Sequence, residues 1–385
     1  MNKLRIMPIF GTRPDAVKMA PLVKELEKYP EIEPIVCVTA QHRQMLDQVL
    51  GIFKISPRHD LNIMQDRQTL EQITTKALEG LTALFDSTRP DIVLVHGDTT
   101  TCFAAALAAF YRKIPVGHVE AGLRTFDRYS PYPEEMNRKL AAALANLHFA
   151  PTAANRSNLL QEGIEADKIY VTGNTVIDAL KTTVKKDYAF LNSTLNEIDF
   201  NGKRTIVVTA HRRENLGEPL EQICLALKDI ADSYENVKIV YAVHLNPAVR
   251  ETAFKLLGSN PRIHLIEPLD VQDMHNLLDR SYLVMTDSGG LQEEAPALGK
   301  PVLVLRKETE RPEAVAAGTV KLAGTNAENI KALASQLLDD KHEYLKMAKA
   351  VNPYGDGSAS ERIVKALLYE FGISSSKPVE FCHTS

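Results

Sequence analysis

Acidic and basic residues gather in this chain where apolar runs end, the place where α/β enzymes keep their chemistry. Asp98 closes the run Asp91-Ile92-Val93-Leu94-Val95-His96-Gly97-Asp98, and Glu120 closes Pro115-Val116-Gly117-His118-Val119-Glu120. Carboxylates in such places can act as general bases and acids. Asp98 reads equally well as the N-cap of the helix that follows, because Asp and Thr are favoured caps. Glu120 stands beside a glycine turn, where capping is less natural and function is favoured. Glu134, in Pro131-Tyr132-Pro133-Glu134-Glu135, opens a helix, and taken alone it reads as a partner of the helix dipole.

Cations gather in similar places. Arg13 and Lys18 follow Gly11-Thr12-Arg13-Pro14-Asp15 at a helix start, where amides and dipole favour an anion. A plain βα loop with two solvated cations is the simpler alternative. His211-Arg212-Arg213-Glu214 puts three basic groups at a strand end, either an anion site or a surface charge run. The most telling segment is Thr286-Asp287-Ser288-Gly289-Gly290-Leu291-Gln292-Glu293-Glu294. A strand, a Ser-Gly-Gly turn and a helix make a backbone cradle for phosphate. Glu294, one turn further on, could accept the hydroxyls of a sugar. The alternative is a Gly-Gly turn followed by ordinary helix acids.

The elements that must position these groups follow βαβ grammar. Strands are expected at Leu4–Phe10, Ile32–Thr39, Asp91–His96, Pro115–Glu120 and Ile169–Thr172. Helical patterns span Asp15–Lys28, Leu70–Ser87, Thr100–Arg112, Glu134–Asn146 and Ala153–Glu162. The pattern weakens over the polar stretch 181–203, which reads as a linker. It restarts with strands at Arg204–Thr209, Val237–Val243, Arg262–Ile266, Tyr282–Thr286 and Pro301–Leu305. The expectation is an α/β fold of two Rossmann-like domains, residues 1–172 and 173–357. A final helix at 358–371 packs back on the first, and 372–385 forms a flexible tail.

Composition removes other classes. The 385 residues carry 45 Lys+Arg against 49 Asp+Glu, a net charge of −4, which argues against a dedicated nucleic-acid or anionic-membrane binder. Cys37, Cys102, Cys224 and Cys382 stand singly, so neither a disulfide framework nor a zinc ribbon is supported; reduced thiols in a cytoplasmic protein are expected. No signal-peptide core or membrane span is evident. There is no G-x-G-x-x-G after a strand, no P-loop, no H-E-x-x-H and no G-x-S-x-G elbow. The histidines lack metal-ligand spacing, and His148 and His264 read as structural. No metal is expected.

The ensemble is far more specific than any of its parts. Gly11-Thr12-Arg13-Pro14, Thr39-Ala40-Gln41-His42-Arg43, His96-Gly97-Asp98-Thr99-Thr100, Gly117-His118-Val119-Glu120-Ala121-Gly122-Leu123-Arg124, His211-Arg212-Arg213-Glu214, Asp287-Ser288-Gly289-Gly290 and Asn352-Pro353-Tyr354-Gly355-Asp356-Gly357 occur in one order. From Leu4 to Phe371 the chain resembles the bacterial non-hydrolysing UDP-N-acetylglucosamine 2-epimerases. The resemblance implies a glycosyltransferase-B-like fold, two Rossmann-like domains facing a central cleft, and a homodimer. It implies reversible interconversion of UDP-GlcNAc and UDP-ManNAc without a cofactor. UDP is eliminated with loss of the C2 proton, leaving 2-acetamidoglucal, and then re-adds with protonation on the other face. The product would supply surface polysaccharide or teichoic acid synthesis.

Asp98, Glu120, Glu134 and His211 match the family's catalytic positions, with His211 assisting the departing diphosphate. Like charges packed together would raise at least one carboxyl pKa. Arg13, Lys18, Ser288, Gly289, Gly290, Glu294 and Arg311 match ligand-binding positions. Gln41, Gln44, Arg67, Arg212 and His244 match a regulatory site where a second UDP-GlcNAc activates, with Glu134 nearby. Asp15 stands where a glutamate is common, and Phe126 where a glycine is usual. The competing readings are a hydrolysing 2-epimerase that releases ManNAc and UDP, a glycosyltransferase of the same fold, and a non-catalytic nucleotide-sugar sensor.

Overall fold

Short runs of Ile, Val and Leu bounded by Gly, Pro and Asp form the strands, and all of their pairings are parallel. The computed structural model describes residues 3–200 and 202–382. It divides the chain into two units, the first running through Thr182 and resuming at Tyr354, the second spanning Thr183–Pro353.

In the first unit the strands are β1 (Leu4–Phe10), β2 (Ile32–Pro34), β3 (Cys37–Val38), β4 (His59–Asp60), β5 (Ile92–His96), β6 (Val116–Val119), β7 (Leu147–Ala150) and β8 (Ile169–Val171). Their order is β4-β3-β1-β5-β6-β7-β8, with β2 also on β1. The single strand expected over 32–39 is therefore two: β2 lies along the start of β1 and β3 along its end. The ladder runs on past Pro34, where Ile35 N donates to Ile6 O at 2.8 Å, and breaks where Pro8 of β1 has no amide to give. Helices Leu70–Thr88 and Thr100–Tyr111 bury Leu81, Phe85, Ala105 and Ala109 with Met7, Ile9, Val93 and Val95 of the sheet.

The second unit holds β9 (Arg204–Thr209), β10 (Val237–Ala242), β11 (Ile263–Ile266), β12 (Leu283–Thr286), β13 (Val302–Val304) and β14 (Val320–Leu322), ordered β11-β10-β9-β12-β13-β14. Its core joins Ile206, Val208, Ile239 and Met285 to Ile223, Leu227 and Ile230 of the helix Glu218–Ser233.

Three boundaries differ from the sequence expectation. The helix Thr175–Thr183 is tied to the returning chain: Asn174 N donates to Tyr354 O at 2.7 Å, and Asp178 accepts from the amides of Ala359 and Ser360. The first unit thus ends ten residues later than 172, and the chain rejoins it at 354, ahead of the helix Ala359–Glu370. From Thr183 to residue 200 the polar stretch is part of the second unit. There Asp273 accepts from Tyr188 Oη and from the amides of Leu191 and Asn192, and Arg280 stacks over Phe190. The tail is also held, since Phe381 N donates to Val171 O at 2.8 Å and Arg156 pairs with Glu380 along the β8 edge. Residues 383–385 lie outside those described.

Cys37, Cys102 and Cys224 are buried, and burial pushes the Cys37 and Cys224 thiols up to about 12. No described helix is long and apolar enough to cross a membrane. His118 of β6 and His148 of β7 are register partners, both buried. Burial lowers His118 to about 3 and His148 to about 4. Unfolded, each would titrate near ~6.5. The folded form therefore refuses protons that the unfolded form accepts. Stability is full above about pH 6.5 and falls as pH drops toward 4, by about 1.4 kcal/mol per pH unit for each histidine. Urea midpoints from pH 7 to pH 4.5 should show this slope, reduced by about one proton in His148→Gln. An equal slope in that variant sinks the assignment.

Candidate functional site

β1 lies between β3 and β5, so the chain leaves it first to one side and then to the other. Parallel sheets bind ligands at the carboxyl ends of the strands flanking such a reversal. In the first unit these ends are Gly11–Asp15 and Gly97–Thr100, with Glu120 after β6 next door. Gly11 permits the packing here. A Cβ on it would lie 2.0 Å from Thr39 Oγ1 and 2.7 Å from Thr101 Oγ1, a pair that share a 2.9 Å hydrogen bond.

Glu120 has φ +60°, a left-handed backbone rare outside glycine and costly enough to need a reason. Its Oε2 accepts from Lys18 Nζ and, at 2.7 Å, from Asn174 Nδ2. Lys18, expected on a ligand anion, is thus placed on Glu120, while Arg13 is exposed at the first helical position. Asp98 is not the helix cap. Thr99 takes that role, its Oγ1 accepting from Cys102 N at 3.2 Å. Asp98 instead meets Arg138, whose Nε and Nη2 reach Oδ2 at 3.0 and 2.7 Å. Asp98 and Glu120 are therefore each matched by a cation, which eases the like-charge crowding expected of them.

The helix Glu134–Leu144 opens with two acids of different use. Glu135, fully buried, accepts from the Thr125 and Phe126 amides at 3.1 Å and pairs with Arg138 at 3.2 Å. Glu134 keeps a buried Oε2 with no hydrogen bond, a carboxylate oxygen left for something else. Gln41 joins the Gly11 turn, its Oε1 accepting from Thr101 Oγ1 at 3.0 Å. Gln44 and Arg67 are exposed, and Arg67 has φ +54°.

In the second unit the reversal falls between β9 and β12. There Asp287 is fully buried and gathers the next loop: its Oδ2 accepts from the amides of His211 and Arg212 and from Asn215 Nδ2, at 2.7, 2.8 and 3.0 Å. Its Oδ1 stands 3.5 Å from His211 Nδ1. His211 stacks on His244 with ring centroids 5.1 Å apart. Burial lowers the His211 pKa; Asp287 opposes this, and His244 and Arg212 add to it. The imidazole is thus neutral near pH 7.

Ser288, Gly289 and Gly290 lead into the helix Leu291–Ala297, and the next two acids again divide. Glu293 pairs with Arg311, while Glu294 faces His275 Nε2 at 3.3 Å. A Cβ on Gly290 would sit 3.2 Å from Glu294 Oε1, so glycine keeps that carboxylate in place. Arg311, nearly buried, also donates to Glu310 O at 3.2 Å. Burial raises the Glu310 carboxyl, yet Arg311, Arg212 and Arg306 together hold it below the usual range.

Sequence reasoning passed over His96, Asn174, Glu135, Arg138, Asp287 and His275 as site residues. His96 and Asp287 stand inside quoted motifs, so their signal was present. Asn174 and Arg138 carry none, because their partners are 54 and 40 residues away.

One doubly wound sheet ends in charge-matched carboxylates and the other in a histidine–arginine–glycine rim, which places the protein in the glycosyltransferase-B-like class of α/β enzymes. A family model described as UDP-N-acetylglucosamine 2-epimerase matches residues 24–368. The UDP-N-acetylglucosamine 2-epimerase of Bacillus subtilis is 60% identical over 381 residues, covering 99% of both chains. The crystal structure of UDP-GlcNAc 2-epimerase from Neisseria meningitidis bound to UDP-GlcNAc is 51% identical, with TM-score 0.85 over 94% of this chain and 99% of that one. The Methanocaldococcus jannaschii enzyme in complex with UDP-GlcNAc and UDP is 35% identical, with TM-score 0.77 over 95% and 99%. The chain belongs to the UDP-N-acetylglucosamine 2-epimerase family.

Proposed function

We propose that this chain interconverts UDP-GlcNAc and UDP-ManNAc by elimination of UDP and re-addition to 2-acetamidoglucal, feeding surface polysaccharide or teichoic acid synthesis in the cytoplasm. The supporting observation is the pair of carboxylates on adjacent strand ends, Asp98 and Glu120, each held on a cation. The C2–H of the sugar is not next to a carbonyl, so a stable carbanion is out of reach. Losing the C2 proton while the C1–O bond breaks avoids it. Asp98, Glu120 and Glu134 act as base and acid on the hexosamine. Ser288, Gly289, Gly290 and Arg311 hold the diphosphate with Arg13, and Glu294 takes the ribose.

His211 joins this step through its charge. It is neutral in the free protein, and an arriving diphosphate favours its protonated form, so it can donate to the leaving oxygen. Lys18, paired with Glu120, stands beside the acid–base pair and contacts the bound ligand. Gln41, Gln44, Arg67, Arg212 and His244 bind a second, activating UDP-GlcNAc, and the working form is a homodimer.

One experiment tests the reading. The protein is incubated with UDP-GlcNAc in D₂O, and the products are followed by NMR. Deuterium at C2 in UDP-GlcNAc and UDP-ManNAc is expected. Stoichiometric free ManNAc and UDP would instead mark a hydrolysing enzyme, and no exchange a sensor. Run from UDP-ManNAc, the same assay should speed up when UDP-GlcNAc is added; an unchanged rate removes the activator role.

A further inference from the structure

His96, at the end of β5, is a buried titratable group at the candidate site that the proposed reaction leaves unused. It is 4% exposed, and neither ring nitrogen has a hydrogen bond. Buried polar atoms without partners are costly, so the position calls for a use. The imidazole lies between two carboxylates. Nδ1 is 3.8 Å from Asp15 Oδ1, and Nε2 is 3.8 Å from Glu120 Oε2. Asp15 is itself fixed, its Oδ2 accepting from Thr99 Oγ1 at 3.2 Å and from Gly11 N at 3.5 Å. The other titratable or charged groups around this trio are Lys18 on Glu120, Asp98, Cys102 and His118.

Epimerisation takes a proton from one face of C2 and returns one to the other. The base on the first face ends each turnover protonated, and the acid on the second ends it deprotonated. Both must be reset, and Glu120 has a second titratable group directly behind it.

We propose that His96 is a positioning residue that relays the proton of Glu120. The proton leaves Glu120 Oε2 for His96 Nε2, while the Nδ1–H of His96 faces Asp15 Oδ1. The imidazolium then lies between two carboxylates, and the reverse transfer restores the acid. One proton moves and no other bond changes. A closure of under about 1 Å brings each contact to hydrogen-bond distance, and catalytic contacts in free enzymes commonly tighten when substrate binds.

This inference rests on the reaction proposed above, and its test separates the two. His96→Gln keeps bulk and polarity but cannot carry the proton. Its kcat is expected to fall on the order of 10²-fold, with KM for UDP-GlcNAc within about twofold of the unaltered chain. The limb of the kcat–pH profile that reports this relay should flatten. Asp15→Asn keeps the imidazole and should shift that limb in the same sense, so it carries the test if His96→Gln does not fold. A kcat within about threefold of the unaltered chain overturns the relay, as does a loss of rate with an unchanged pH profile. An unaltered chain that never turns over UDP-GlcNAc overturns the reaction itself; an active unaltered chain beside an equally active His96→Gln overturns only the relay.

Discussion

Glu120→Gln and Asp98→Asn are each expected to lower kcat by roughly 10²–10⁴, the scale of a lost general acid or base, with little change in KM. Both substitutions conserve shape, so the loss reports charge and proton transfer. In Glu120→Gln the amide oxygen can take the place of Oε2 and accept from Lys18 and Asn174, the two donors that already share that oxygen. In Asp98→Asn, Arg138 keeps Glu135 as its partner, so the helix start stays anchored while the site loses its charge. The two variants should therefore fold and bind UDP as the unaltered chain does. Steady-state turnover of UDP-GlcNAc, read with C2 exchange in D₂O, checks them. Near-normal turnover in both removes these carboxylates from the chemistry.

The strands that carry this site were legible because they are buried on both faces and read as unbroken apolar runs. β1 and β9 fall at the expected residues, and β5, β6 and β12 within one or two. Away from the site β8, β10, β11 and β13 also fall within one residue of expectation, but some short elements there were not legible. Leu147–Ala150 is four residues long, includes a buried histidine and follows an alanine-rich helix, so no periodicity marks it. β14 and β4 are shorter still, and each becomes a strand only through the neighbour it pairs with. The linker and tail were misjudged for one reason. Their polar residues find partners at long range, Asp273 for the 188–192 turn and Arg156 for Glu380.

The site divides along the same line. That Asp98, Glu120, His211 and Ser288 stand where strands end was legible in the sequence. What they touch was not. A sequence shows Lys18 near a helix start but not that Glu120 will occupy it, 102 residues away. Glu134 and Glu135 are adjacent and chemically alike, yet one pairs with Arg138 and the other keeps an unbonded oxygen. Only the direction of the helix start separates them.

Asp287→Ala should be the most disruptive single change in the second unit. Three donors converge on one oxygen of this fully buried carboxylate, two of them backbone amides that cannot turn away. An unsatisfied buried donor costs about 1–3 kcal/mol, and breaking a buried charged network about 3–5 kcal/mol. A stability loss near ~4 kcal/mol is therefore expected in urea unfolding followed by circular dichroism. Asn215 also donates to Leu305 O, so it tethers β13 to the same loop and should carry part of the damage there. Asp287→Asn retains one acceptor oxygen and should lose only about 1–2 kcal/mol. Its effect on turnover should be larger than its effect on folding, because the neutral amide no longer opposes the burial that keeps His211 unprotonated. The bell of kcat against pH should then narrow on its alkaline side, since a His211 with a still lower pKa gives up its proton earlier as pH rises. If Asp287→Ala unfolds within about 1 kcal/mol of the unaltered chain, the convergence on Oδ2 is not what holds the His211 loop.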